Sequence, residues 1–171
     1  ISLSASSYLE YIHNQIKGRP PLIDLELENI LQSFLRDCIN QNLIQSAHDL
    51  SDGGLAIALA ESSIGSNLGV YVNLPSFNSI RIDSLLFSEG GSRVLVSIKK
   101  VKRSLWEESL SKYNLKNQKV LPYMKLGNVS STNKLLIKQG SDVLIDTNVD
   151  DLLEIFENAI PRRIGSSKLK T

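Results

Sequence analysis

Apolar residues recur along the chain in alternating helical and strand periods. Tyr8, Leu9, Ile12 and Ile16 fall on one side of a helix that Gly18 can end. Gly18-Arg19-Pro20-Pro21 then imposes an extended connection, because proline disfavours helix at itself and just before it. Leu27, Ile30, Leu31, Phe34, Leu35, Cys38 and Ile39 keep the three-four spacing of an amphipathic helix over about 24–42, with Asp24 as its cap. Residues 43–48 read as a short strand, and 53–65 as a helix apolar nearly all round and therefore buried. Residues 68–74 alternate like a strand, 81–89 read as helical, and the continuous apolar run at 93–100 predicts a central strand. A helix follows, with Leu105, Trp106, Ser109, Leu110 and Tyr113 along one stripe. Three strand-like pieces come next, the last two joined by a hairpin turn at Gly140. A closing helix capped by Asn148 turns Val149, Leu152, Leu153 and Phe156 inward.

Intermixed helices and strands with a hairpin predict an α/β (α+β) fold, a mixed β-sheet flanked by helices rather than a doubly wound one. The 171 residues suit one domain with a single core. Nineteen basic and eighteen acidic residues leave a net charge of +1, which steers the chain toward neither nucleic acid nor membrane. No run of about 18 apolar residues is present to span a bilayer, and no secretory signal opens the chain. With one cysteine, Cys38, no internal disulfide can form. A soluble, reducing, cytoplasmic setting is expected, and Asn128-Val-Ser is a chance glycosylation match. A chain beginning at Ile1 rather than Met is expected to be a fragment, and the basic residues after 160 a solvated end.

Chemistry concentrates in Ser46-Ala-His-Asp-Leu-Ser-Asp-Gly-Gly-Leu, at a strand-to-helix junction. Amides at a helix start favour an anion, and Gly53 and Gly54 let a phosphate approach the backbone. Asp49 at the strand end suits Mg²⁺, a hard cation, and Ser51 can donate to a phosphate oxygen. The competing reading is a turn in which Ser51 or Asp52 caps the helix. No Walker pattern follows, and with Asp49 as first ligand the twelfth EF-hand position is Ala60. His48 reads as a structural histidine, and His13 falls on a helix with no partner in view. A second cluster, Phe87-Ser-Glu-Gly-Gly-Ser-Arg93, sets Glu89, Ser92 and Arg93 around another glycine pair. Either Glu89 and Arg93 pair, or Gly90-Gly91 forms a pocket wall and Glu89 faces a ligand.

Together, "SAHDLSDGGLAIALAES", "LLFSEGGSRVLVSI" and the preceding "GRPPLIDLELE" resemble the C-terminal domain of the phosphoribosylformylglycinamidine synthase family, within the aminoimidazole ribonucleotide synthetase superfamily. The likeness runs from "SSYLEYIHNQIKGRPP" to "AIPRRI". It implies a three-layer α/β fold and the second B-type domain of an ATP-dependent carbon–nitrogen ligase. That ligase converts formylglycinamide ribonucleotide to the amidine with ammonia from glutamine. By the resemblance Asp49 is a magnesium ligand, and Ser51 contacts the phosphate of ATP or ADP. Glu89 and Ser92 lie in the counterpart of a ribonucleotide-binding motif, but Glu-Gly-Gly replaces the usual Glu-Ser-Gln. Asp52 and Arg93 are ligand-facing candidates, and no residue here is assigned as catalytic.

The implied partners are the remaining domains of the same synthetase, a glutaminase subunit or domain, and in many bacterial members a small bridging subunit. The expected division is 1–20 as linker and leading helix, 21–162 as the synthetase-related domain, and 163–171 as a flexible tail. Tyr8 and Tyr11 should face a missing neighbour, and residues 46–54 should open to solvent. The alternatives are a scaffold domain without catalysis and a sibling ATP-dependent enzyme of the selenophosphate synthetase or thiamine-phosphate kinase type.

Overall fold

The computed structural model describes residues 1–77, 79–117 and 119–165. The elements are α1 (Ser7–His13), α2 (Leu25–Asn40), β1 (Ser46–Asp49), α3 (Gly54–Ser66), β2 (Gly69–Leu74) and α4 (Ile82–Phe87). They continue with β3 (Val94–Ser97), a 3₁₀ turn (Lys100–Lys102), α5 (Arg103–Lys116), β4 (Gly127–Ser130), β5 (Lys134–Gln139), β6 (Asp142–Asn148) and α6 (Val149–Arg163). The described residues form two compact units, one within 1–58 and 77–125, the other within 59–76 and 126–165. This differs from the single core expected from length.

In the first unit, Ile30, Phe34, Cys38, Leu43, Ile44, Trp106, Leu110 and Leu121 make a core between α2 and α5. The three-four spacing of α2 creates this face, and Asp24 fixes its start by accepting the Leu27 N–H at 3.0 Å. Trp106 meets Phe34 edge-on at 6.1 Å. Leu105, expected on the same stripe, is exposed, because one residue further round the helix points away from α2. The predicted strand at 43–48 starts later, since Leu43 and Ile44 are spent in the core before pairing begins.

β1 and β3 form a two-stranded antiparallel ribbon, Asp49 opposite Val94. β3 is therefore not the central strand its apolar run predicted. Its residues are half-buried, with Val96 packed against the α2–α5 core. α1 ends at His13, where Asn14 takes φ 51°, ahead of the expected stop at Gly18.

The second unit holds the sheet β4-β2-β5-β6, with β2 parallel to β5 and the other pairs antiparallel. A mixed sheet with helices is the α/β class expected. Val72, Leu74, Leu135 and Ile137 are buried, as strand alternation dictates. Gly140 turns the β5–β6 hairpin at φ 60°. Asn148 stands at the cap of α6, but its side chain donates to Asp151 rather than accepting a backbone N–H. Burial falls along α6: Val149 is buried, Leu152 and Leu153 are half-buried, and Phe156, expected to face inward, is 61% exposed. Periodicity marks an apolar face but not how far its own unit covers it. Helix α6 continues into the tail expected from 163, and the part of that tail from 166 lies outside the described residues.

Candidate functional site

The site is the turn from β1 into α3. Ribbon pairing carries Asp49 to the strand end, and the Leu50 N–H donates to the Arg93 carbonyl at 3.1 Å. The chain then reverses, with the Gly54 N–H donating to the Ser51 carbonyl at 3.0 Å. Gly53 and Gly54 take φ 75° and 62°, a region most side chains avoid. A Cβ on Gly53 would overlap the Ile57 side chain one turn on. Gly54 is buried against backbone of the α4 end, so both glycines answer to steric need.

Asp49, Ser51 and Asp52 are exposed. Among the described residues, none of their side chains makes a hydrogen bond or ion pair. The simple cap reading therefore fails in its detail, because neither Ser51 nor Asp52 caps α3. That role falls to Glu89, whose Oε1 accepts the Gly53 N–H at 2.8 Å from 36 residues away. The same oxygen accepts the Ser7 N–H at the start of α1, also at 2.8 Å.

The second cluster is thus committed within the protein. Glu89 and Arg93 do not pair. The half-buried Arg93 guanidinium donates to the Ser88 carbonyl at 2.8 Å and to Ser88 Oγ at 3.2 Å, and burial lowers its pKa. Ser92, at φ 60°, donates from Oγ to Glu28 Oε2 at 2.8 Å, away from the junction. Gln32 donates to the other oxygen of Glu28. The two bonds, that of Gln32 foremost, hold the Glu28 carboxyl below its ordinary value. Gly90 and Gly91 do line a cleft of about 310 Å³, with Glu89, Arg19, Arg93 and the first residues of the chain. Sequence reasoning missed Ser7, Glu28 and the fully buried Ser88 as partners, because each acts through a contact that no local spacing encodes.

Tyr8, expected to be exposed, instead stacks on Phe87 at 4.6 Å; Tyr11 is exposed as expected. Among the described residues no three His, Cys, Asp or Glu side chains cluster as a metal cage. Asp49 therefore belongs to no such cage. That donor set fits Mg²⁺ only in the manner in which it binds through one or two carboxylates, waters and phosphate oxygens. No helix among the described residues is long and apolar enough to cross a membrane.

Known proteins resemble this chain in sequence and fold. The chain is 47% identical over 165 residues to phosphoribosylformylglycinamidine synthase subunit PurL of Prochlorococcus marinus strain MIT 9303, covering 96% of this chain and 21% of that protein. With the same subunit of strain NATL1A it shares 46% over 164 residues, 96% of this chain and 20% of the relative. The chain thus spans about a fifth of the length of these relatives. Among solved structures, the PurLQS assembly of Thermotoga maritima aligns with TM-score 0.67 at 19% identity, over 88% of this chain and 24% of that one. T. maritima PurL complexed with ATP aligns at 0.65 and 22%, over 78% and 23%; at such identities the likeness shows the fold. The family model described as AIR synthase related protein, C-terminal domain, matches residues 1–121, and the chain belongs to that family.

Proposed function

We propose that this chain is the C-terminal, B-type domain of an ATP-dependent carbon–nitrogen ligase of purine biosynthesis, and that its β1–α3 turn forms one wall of a magnesium-nucleotide site. The ligase would convert formylglycinamide ribonucleotide to its amidine in the cytoplasm. Its partners would be the rest of the synthetase, a glutaminase and a small bridging subunit. Support comes from relatives named as that synthase subunit and from structures of PurL with ATP and with ADP.

One observation carries the site. The helix start is capped from afar by Glu89, while the oxygens of Asp49, Ser51 and Asp52 stay exposed and uncommitted. Asp49 would hold Mg²⁺, Ser51 would donate to a phosphate oxygen, and Gly53 and Gly54 would admit the phosphate to the backbone once the Glu89 carboxylate leaves the Gly53 amide. When bound, Mg²⁺ would supply charge neutralisation for the phosphates. Residues 1–20 would lead in from a preceding domain, 21–162 would be the synthetase-related body, and 163–171 a tail.

The test is Asp49→Asn in the full-length protein, with Mg-dependent ADP binding as readout. Affinity should fall by about tenfold or more, since even groups that merely orient a metal ligand are worth that much. Unchanged Mg-dependent affinity would remove Asp49 from the site.

A further inference from the structure

A single oxygen, Glu89 Oε1, joins two helix starts. It accepts the Ser7 N–H of α1 and the Gly53 N–H before α3, both at 2.8 Å, from positions 82 and 36 residues away in sequence. α1 is lightly held. It has seven residues, none of them buried, and its aromatic anchor is the stack of Tyr8 on Phe87. The carboxylate is thus both the tether of α1 and the built-in anion at the α3 entry.

The Gly53 amide has one hydrogen, and Glu89 holds it. A phosphate taking that hydrogen must expel Oε1. Two negative groups within about 4 Å of each other would add repulsion in the same direction. Because the same oxygen meets both amides at 2.8 Å, moving it off Gly53 also moves it from the position in which it meets Ser7. We propose that Glu89 is a positioning residue that makes docking of α1 and occupation of the Gly53 amide by a nucleotide phosphate mutually exclusive, so that nucleotide binding releases α1. This rests on the nucleotide reading of residues 49–54 and adds a coupling to it. The coupling is reciprocal: whatever loosens α1 tightens nucleotide binding by the same factor.

The experiment is hydrogen exchange on the full-length protein with and without Mg-ADP, following residues 7–13 and 51–56, together with ADP affinity. Wild type, Glu89→Gln and Tyr8→Ala are compared. Mg-ADP should slow exchange at 51–56 and speed it at 7–13. Tyr8→Ala loosens α1 without touching the turn, and should tighten ADP about fivefold. Glu89→Gln keeps the acceptor oxygen but removes the charge, so it should also tighten ADP and blunt the release of α1. A purely structural Glu89 would leave α1 exchange independent of ADP. If ADP protects 51–56 while exchange at 7–13 and the affinity of Tyr8→Ala stay at their reference values, the coupling is wrong and the nucleotide site stands. If ADP changes neither segment, the nucleotide reading fails and the coupling falls with it.

Discussion

The carbonyl oxygen of Ser88 lies 2.5 Å from the point where a Cβ on Gly54 would stand. The Leu86 carbonyl oxygen is 3.0 Å from that point, so the obstacle is backbone and cannot rotate aside. Gly54 also sits at φ 62°. Gly54→Ala should therefore combine left-handed strain with overpacking and destabilise the protein by about 2–5 kcal/mol. Gly140→Ala separates the two effects. Gly140 has φ 60° but open space around it, so only the backbone term, about 1–2 kcal/mol, should appear. Urea denaturation of both variants checks this, and equal losses would show that the Ser88 contact yields.

Gly53 and Gly54 also show what sequence can reveal. "SDGGLA" announced a strand-to-helix turn with close backbone approach, and the structure has one. It could not announce that the approaching backbone belongs to the α4 end, or that Glu89 caps the helix from 36 residues away. Ser51 and Asp52 look like caps by position, and the local rule is sound. Glu89 reaches the Gly53 amide instead, leaving them free. Strand β3 shows the same limit. Its apolar run reported burial correctly in part, but run composition does not say how many strands will flank it. Periodicity placed α2 and its cap well, because Asp24 and the Phe34 stripe are local features. It misplaced Phe156, because coverage of a helix face depends on what lies beside it.

Cys38 is 1% exposed, and burial pushes its thiol up from an ordinary 9.0 to about 11. At pH 8 the native thiolate fraction should be about a hundredfold below that of an unfolded cysteine, and access is closed besides. Alkylation should be negligible in the folded protein and rapid in denaturant. The sign of the pH effect follows. The folded form favours the neutral thiol, so this stabilisation is complete below pH 9 and is lost as pH rises through about 11. Fast native alkylation at pH 8 would contradict the buried assignment.

Asp24 combines a cap and an ion pair. It accepts the Leu27 N–H and meets Lys119 Nζ at 2.5 Å. The Lys119 hydrogen bond, then that of Leu27, holds its carboxyl below the usual carboxylate range. Asp24→Asn should keep the cap and lose the pair, whereas Asp24→Ala should lose both. Because the group is exposed, salt should erase the difference due to the pair and leave the cap. Thermal unfolding in low and high salt distinguishes them. A wild-type-to-Asn difference that survives high salt would assign the loss to the cap geometry.

Ser92 offers the clearest acid-limb test. Its hydroxyl donates to Glu28 at 2.8 Å while its backbone sits at φ 60°. Gln32 and Ser92 both favour the charged carboxylate, so the folded value lies below the ordinary 4.5. A depressed carboxyl contributes stability that is present above pH 4.5 and is lost as pH falls through the folded value. Ser92→Ala keeps the backbone strain and the backbone contact with Glu28 but deletes the hydroxyl bond, so its deficit against wild type should be constant at neutral pH and shrink toward pH 3. Ser92→Gly deletes the same bond but relieves the left-handed conformation, a gain of about 1 kcal/mol. It should therefore run parallel to the alanine variant at every pH, displaced toward greater stability. Urea midpoints from pH 3 to 7 on the three proteins provide the comparison. If the alanine deficit does not narrow in acid, the Ser92 hydroxyl is not what keeps Glu28 charged.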